Sequence, residues 1–199
     1  MTPTKAGAEF QVNTYTNSSQ NEPVLTKLSN GGFVASWNSY GQDGSNYAVQ
    51  AQMYDRWGNT VGSEFQVNTH TASDQSAPSI TSLNDGGFVV VFHSNGSSAD
   101  GNLYGVYGQR YDASGSTVGS EFLLNTFKSG YQLYPSVTSL SDGGFVAMSA
   151  GFSCVLTCPV LHSSAAAASL VWWKQTEFAF FFRVDSGLDV SCITDMLSP

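Results

Sequence analysis

Acidic residues are the first side chains in this sequence whose types and spacing suggest chemistry. Nine of the 15 Asp and Glu residues return at matching positions along the chain: Glu9, Glu64 and Glu121; Asp43 and Asp100; Asp55 and Asp112; Asp85 and Asp142. A catalytic carboxylate belongs to a unique constellation, whereas a carboxylate that returns in each repeat serves one local purpose. Asp at a turn accepts hydrogen bonds from nearby backbone N–H groups, so the returning Asp residues are interpreted as turn formers.

Asp43 and Asp100 also carry a metal-binding hypothesis. Each is followed by Gly in a loop rich in Asn and Ser, and oxygen ligands of this kind suit calcium. The Asp-x-Asp-x-Asp spacing of a strong calcium loop is absent from both segments. Calcium is therefore the one metal that the sequence suggests, and no cofactor is predicted.

Aromatic residues supply the candidate ligand contacts. Cross-strand packing is the first interpretation of these rings, because aromatic pairs favour facing positions on neighbouring strands. A sugar or peptide platform is the other interpretation, since exposed Tyr and Trp are good contact residues. The predicted contacts are Tyr47, Tyr104 and Tyr107, served by loops 39–46 and 94–103. The remaining members of the aromatic set are Tyr54, Trp57 and Tyr111.

A tandem repeat organises the elements that must position these residues. Residues 9–14 (EFQVNT) return at 64–69 and, as EFLLNT, at 121–126, at offsets of 55 and 57 residues. The segment around Gly31, Gly86 and Gly143, which ends in Gly-Gly-Phe-Val, returns with the same offsets. A period of this length identifies a repeat architecture before any single motif does.

Each repeat unit predicts four antiparallel strands. Asn84–Gly87 supplies the positive φ of a hairpin turn before the apolar run 88–92, and a second turn begins at Asp112. Runs 33–37 and 88–92 are apolar or small throughout, as in strands covered on both faces. The fold class is therefore all-β, with tandem four-stranded units that resemble β-propeller blades and require neighbouring units for cover.

The units divide the chain at residue 149. Residues 1–19 are expected to carry the last strand of one unit, 20–74 and 75–130 two full units, and 131–149 the start of another. We therefore expect a fragment of a longer array; strand exchange within a closed propeller is the alternative. Residues 150–199 depart from the pattern, with two of the 20 glycines and all three cysteines. This irregular tail is interpreted as a gene-model artefact or a separate small segment.

Composition and missing motifs exclude several function classes. Seven Lys and Arg against 15 Asp and Glu give a net charge of −8, so phosphate neutralisation and nucleic-acid binding are not expected. No segment is long and apolar enough to predict a membrane span, and no signal peptide is visible. His70 and His93 lack an adjacent nucleophile motif, and the cysteines with His162 lack zinc spacing. The three arginines, at 56, 110 and 183, do not form the anion clamp of sialidase-type propellers.

The repeat region resembles a known kind of bacterial repeat. The carrying motifs are residues 86–92 (GGFVVVF), 104–112 (YGVYGQRYD) and 118–126 (VGSEFLLNT). They look like the tandem repeats of very large secreted or surface proteins that often also carry haemolysin-type calcium-binding repeats. The resemblance implies a secreted or cell-surface, non-enzymatic module for scaffolding, adhesion or binding of a protein or carbohydrate surface ligand. The alternative is a non-catalytic slice of a propeller-type glycan hydrolase.

Overall fold

The computed structural model describes residues 7–96, 104–126, 130–152, 167–171 and 180–184, and side chains up to residue 150. The described residues form strands and connecting turns and contain no helix. The strands are β1 (Gln20–Lys27), β2 (Phe33–Tyr40), β3 (Tyr47–Tyr54), β4 (Thr60–Gln66), β5 (Gln75–Ser82), β6 (Phe88–Asn95), β7 (Tyr104–Tyr111), β8 (Thr117–Leu123), β9 (Tyr131–Ser139), β10 (Phe145–Phe152), β11 (Ala167–Val171) and β12 (Phe180–Val184).

The first eight strands form two equivalent sheets. Each sheet has four antiparallel strands in chain order, β1-β2-β3-β4 in the first unit and β5-β6-β7-β8 in the second. Strands β9 and β10 pair as the first hairpin of a third unit. The predicted all-β, four-stranded, tandem architecture is confirmed.

The hairpin turns explain the repeated Gly-Gly pair. The first glycine has a positive φ, +88° at Gly31 and at Gly86. Residues with a Cβ are sterically strained in this conformation, whereas glycine is not. The second glycine, Gly87, has no room for a Cβ, which would collide with the Tyr111 carbonyl oxygen. The Asp85 carboxylate accepts the Gly87 N–H at 2.9 Å. The turn role predicted for this carboxylate is therefore confirmed.

The second turn of each unit is also held by an aspartate. Asp55 Oδ1 accepts the N–H groups of Trp57 (2.8 Å) and Asn59 (2.9 Å). Asp112 Oδ1 accepts those of Ser114 (2.8 Å) and Ser116 (2.9 Å). Side-chain hydrogen bonds from Asn59 to Asp55 and from Ser114 to Asp112 lower the pKa of the two carboxyl groups most, and the backbone N–H groups add to the effect, because all of these bonds favour the ionised form.

The first strands of successive units lie side by side. The Ser82 N–H donates to Thr26 Oγ1 at 3.1 Å, and the matching Ser139 N–H donates to Thr81 Oγ1 at 3.2 Å. Strands β1, β5 and β9 therefore converge, while β4 and β8 end their sheets. Convergent first strands with splayed sheets are the arrangement of propeller blades.

The core lies between the units. Strand β6 is buried on both faces: Phe88 and Phe92 are 0 % exposed, as are the three valines between them. One apolar cluster joins Val90 and Phe92 to Val49 and Met53 of the first unit. A second cluster joins the other face of β6 to Phe145 of the third unit. The second sheet is thus covered on both faces by its neighbours, as its apolar run predicts.

The N-terminal segment departs from the prediction. Residues 7–19 form no strand, although a final strand was expected there. Phe10 nevertheless packs on Tyr54 with ring centroids 5.6 Å apart, as Phe65 packs on Tyr111 at 5.2 Å. The segment therefore repeats the side-chain packing of β4 without its backbone pairing, because no third strand of a preceding unit faces it among the described residues.

The tail contains regular structure. Strand β10 continues to Phe152, past the predicted boundary at residue 149, and β11 pairs with β12 as an antiparallel hairpin. The three cysteines and His162 lie outside the described residues. The described part of the chain has no helix of the length and apolarity that crossing a membrane requires.

Candidate functional site

The two ends of the strands differ in how closely the units match. The end that carries the Gly-Gly and Asp turns is nearly identical from unit to unit. These turns require Gly for its positive φ and Asp to accept hydrogen bonds from backbone N–H groups. At the opposite end the residue types change, as in Glu22, Ala77 and Tyr134, which occupy one matching position. We call this opposite end the variable end; it comprises Asn21, Glu22, Asn38, Tyr40, Tyr47, Ser76, Ala77, His93, Tyr104, Tyr131 and Tyr134.

A bulge near the start of each first strand presents one residue of the variable end. Glu22, Ala77 and Tyr134 have φ values of 52°, 53° and 50°, and each precedes a proline. The pairing register of all three hairpins shifts at this point. Proline cannot donate to the ladder, and the bulge accommodates it. The backbone conformation is therefore fixed by the repeat, while the side chain it presents differs in every unit.

In the first unit the variable end is a hydrogen-bonded polar network. Asn38 Nδ2 donates to Glu22 Oε2 at 2.9 Å and to Asn21 Oδ1 at 3.0 Å. Asn21 Nδ2 in turn donates to the Tyr47 hydroxyl at 3.3 Å. The Glu22 side chain is exposed, and the network holds it in place. An oriented carboxylate beside amide groups suits hydrogen bonding to a hydroxyl-rich ligand.

In the second unit a serine and a histidine occupy the matching positions. Ser76 faces His93 across the β5–β6 pair, with Oγ and Nε2 2.7 Å apart. The Tyr134 N–H points at His93 Nδ1 at 3.4 Å, so Nδ1 is assigned as the acceptor and Nε2–H as the donor to Ser76. In this tautomer Nε2 has no lone pair to take the serine proton, so the pair is not arranged as a nucleophile and its base.

Burial decides the charge of His93. The side chain is 7 % exposed, between the edges of the Tyr104 and Tyr134 rings at centroid distances of 5.5 and 5.9 Å. Desolvation lowers the pKa of His93 to about 4, because the imidazolium loses its hydration there. His93 is therefore neutral near pH 7 and supports the surrounding rings.

The aromatic rings around His93 reach the surface. Tyr134 is 64 % exposed and Tyr131 is 40 % exposed, while Tyr104 is partly buried and lies 5.5 Å from the Tyr131 ring. In the first unit Tyr40, 41 % exposed, meets Tyr47 edge to face at 5.1 Å. Tyr side chains offer a large, rigid contact area at small entropic cost together with a hydroxyl group. The arrangement suits binding of an amphipathic surface such as a sugar ring.

The three predicted ligand contacts have different surroundings. Tyr47 and Tyr104 are partly buried at the variable end, at the starts of β3 and β7. Tyr107 is 3 % exposed and stacks on Phe92, so its ring lies in the core rather than at the surface, and its role as a ligand contact stays a prediction. The physical reason is strand alternation: Tyr107 faces the neighbouring unit and joins the core between them. Tyr54 and Tyr111, 2 % exposed each, follow the packing interpretation.

Asp43 is the one predicted metal ligand that lies within the described structure. Asp43 Oδ1 accepts the Ser45 N–H at 3.0 Å, as an Asp does in its own turn. Asp100 lies outside the described residues. Within the described ranges, no three His, Cys, Asp or Glu side chains are close enough to hold a metal ion. Calcium binding at Asp43 and Asp100 stays a prediction.

Arg56 and Arg110 lie at the turn end, away from the variable end. Arg56 stacks on Trp57 at 4.3 Å from the ring centroid. Arg110 binds the Asp85 carboxylate at 2.7 Å. Desolvation raises the pKa of Asp85, but the Gly87 N–H and the Arg110 guanidinium outweigh it, so the pKa is lowered. Each arginine thus has a separate partner, and these two arginines form no shared anion clamp.

Sequence reasoning missed most of the variable end. Neither the Ser76–His93 pair nor the network of Glu22, Asn21 and Asn38 was predicted from motifs. The signal was present, because aligning the units by their turns exposes the positions where residue types differ. The facing positions of a hairpin would then have paired Ser76 with His93. No motif search could find the pair, since the two residues are 17 positions apart.

Solved structures with a similar fold were found at low sequence identity. The α-L-arabinofuranosidase of Lactobacillus brevis matches with a TM-score of 0.50 and 10 % identity, over 91 % of this chain and 59 % of that one. The endo-arabinase of Bacteroides thetaiotaomicron matches with a TM-score of 0.48, 13 % identity, and coverages of 89 and 59 %. The first match supports the propeller-like fold. The chain spans 59 % of the length of either structure.

Sequence comparison adds no family. No protein-family model matches the chain, and no curated protein sequence matches it. The all-β, propeller-like repeat fold is therefore the level at which the comparisons classify the protein.

Proposed function

We propose that the protein is a non-enzymatic, extracellular repeat module that binds a carbohydrate surface through the variable end. The observation that carries this proposal is the exposed tyrosine surface of Tyr131 and Tyr134, supported from behind by Tyr104 and the neutral His93. An exposed ring of this kind suits a ligand with an apolar face and polar edges, which a pyranose or furanose provides.

The polar network supports a carbohydrate rather than a purely apolar partner. Glu22 and the amides of Asn21 and Asn38 stand at the same end of the strands as the tyrosines. Fixed acceptors and donors beside aromatic rings give orientation and specificity to a hydroxylated ligand. The net charge of −8 disfavours polyanionic ligands.

A slice of a propeller-type glycan hydrolase is the second candidate. The arabinofuranosidase named above supports it, because that enzyme acts on a glycan and has a similar fold. In both candidates the variable end holds sugar; in the second, the parent protein cleaves a glycosidic bond with residues outside this non-catalytic slice. Cleavage requires a pair of carboxyl groups at a defined separation across the bond.

Titration with arabinohexaose, xylohexaose and cellohexaose tests the proposal. We expect one of these oligosaccharides to bind wild-type protein and the Tyr134→Ala variant to bind it about tenfold more weakly, the loss typical of an aromatic hot spot. Trp57→Ala is the matched control, because Trp57 is 74 % exposed at the turn end. Equal affinity of wild type and Tyr134→Ala would contradict the proposal, and release of reducing sugar by this chain would contradict its non-enzymatic character.

A further inference from the structure

Each repeat unit has two apolar faces, and these faces have different neighbours. We call the face that packs on the unit before it the preceding face, which in the second unit carries Ile80 and Phe88. The face that packs on the unit after it is the following face, which in the second unit carries Leu83 and Val89. Both faces of the second unit are covered, since Phe88 and Val89 are 0 % exposed.

The preceding face of the first unit is partly open. Leu25 occupies the position of Ile80 and Val137, each of which packs into the core between its own unit and the unit before it. Leu25 instead is 67 % exposed. Phe33 is only partly buried, although the matching Phe88 is 0 % exposed. An apolar patch is therefore exposed at the place where the repeat forms an interface between units.

The following face of the third unit is also partly open. Val146 is partly exposed, whereas the matching Val34 and Val89 are 0 % exposed. Leu140 is likewise partly exposed, and the matching Leu28 is 2 % exposed. Strand β12 runs close to β10 but leaves these two side chains incompletely covered. The chain thus carries both halves of the interface that its own units form, and both halves are accessible to solvent.

The hydrogen bonds between first strands fit the same two faces. In each interface within the chain, a backbone N–H of the later unit donates to a threonine hydroxyl of the earlier unit. The donors are Ser82 and Ser139, and Lys27 occupies their position in the first unit. Thr138 occupies the position of the accepting threonines in the third unit, and its side chain is exposed.

We propose that a second copy of this chain covers the preceding face of the first unit with the following face of its own third unit. This contact continues the interface that joins the first unit to the second and the second unit to the third. It places Thr138 of one copy beside the Lys27 N–H of the other. Because the contact uses two different faces, copies joined in this way close into a ring or grow as an open array.

Sedimentation velocity of the full chain over about a hundredfold range of concentration tests the proposal, because association follows mass action. We expect the sedimentation coefficient to rise with concentration. A plateau at two copies would show a closed ring and continued growth an open array, and either result supports contact between copies. A chain that stays monomeric over the whole range would overturn the proposal.

One variant on each face identifies the surfaces that meet. Leu25→Asp changes the preceding face and Thr138→Arg the following face, and both side chains are exposed, so both variants should fold; thermal melts check this. Each variant should weaken association at least about tenfold, because a charge loses its hydration in an apolar contact. Val61→Asp is the matched control, since Val61 is 43 % exposed on the edge strand β4, and it should associate like wild type.

Mixing the two variants distinguishes this contact from a symmetric one. Leu25→Asp retains an intact following face and Thr138→Arg an intact preceding face, so an equimolar mixture should recover association. If Thr138→Arg associates like wild type, or if the mixture shows no recovery, the two faces do not meet and the proposal is overturned. Sugar binding by Tyr134 is measured separately, so neither result bears on the variable end.

Discussion

Acid destabilisation through His93 follows from its position in the variable end. The folded state holds the pKa of His93 at about 4, below its ordinary value of 6.5, through burial. The unfolded chain therefore binds more protons between these two pH values, and stability is lost as pH falls through that window. Linkage gives a loss of about 2 to 3 kcal/mol between pH 7.5 and 4.5.

Replacing His93 by Asn isolates this contribution. Asn38 occupies the matching position in the first unit and donates a hydrogen bond to Asn21 there. The His93→Asn variant therefore carries a side chain that the fold already accommodates at this position. Urea unfolding, followed by tryptophan fluorescence at pH 7.5 and 4.5, measures the free energy of unfolding of both proteins. We expect wild type to lose about 2 to 3 kcal/mol more than His93→Asn over this interval.

The difference between wild type and His93→Asn excludes the contributions of the other titrating groups to the pH dependence of stability. The pKa values of the turn carboxyl groups Asp55, Asp85 and Asp112 are lowered from 3.8, so their contributions fade mainly below the pH range used. They are also common to both proteins and cancel in the difference. Parallel losses in wild type and His93→Asn would refute the reasoning, since no proton uptake could then be assigned to His93.

Two further predictions concern the fold. Gly87→Ala should lower the free energy of unfolding, measured by thermal denaturation, by about 2 to 3 kcal/mol, because the new Cβ collides with a backbone carbonyl oxygen. Gly119→Ala is the control: Gly119 has a φ of +73° but open space around it, so the loss should be about 1 kcal/mol. Equal losses in the two variants would contradict the steric argument. Tyr54→Phe should cost about 1 kcal/mol and speed proteolysis near residue 12, because the hydroxyl donates to the Val12 carbonyl oxygen at 2.7 Å; unchanged cleavage there would contradict it.

The sequence alone determined the strand order and the turns. Repeated Gly and Asp positions, at offsets of 55 and 57 residues, predict two units and part of a third. They suffice because the positive φ of Gly and the hydrogen bonds from backbone N–H groups to Asp depend on a few consecutive residues of a turn. The apolar runs likewise predicted the burial of β2 and β6. These features depend on neighbours along the chain, so residue types and spacing suffice to find them.

Tertiary structure decided which side chains meet. The sequence predicts Tyr107 as a ligand contact, but strand alternation places its side chain in the core between units. Ser76 meets His93 only through the register of a hairpin that contains a bulge. Such contacts depend on pairing register and on packing between units, and one chain's local pattern specifies neither at the precision that binding chemistry needs.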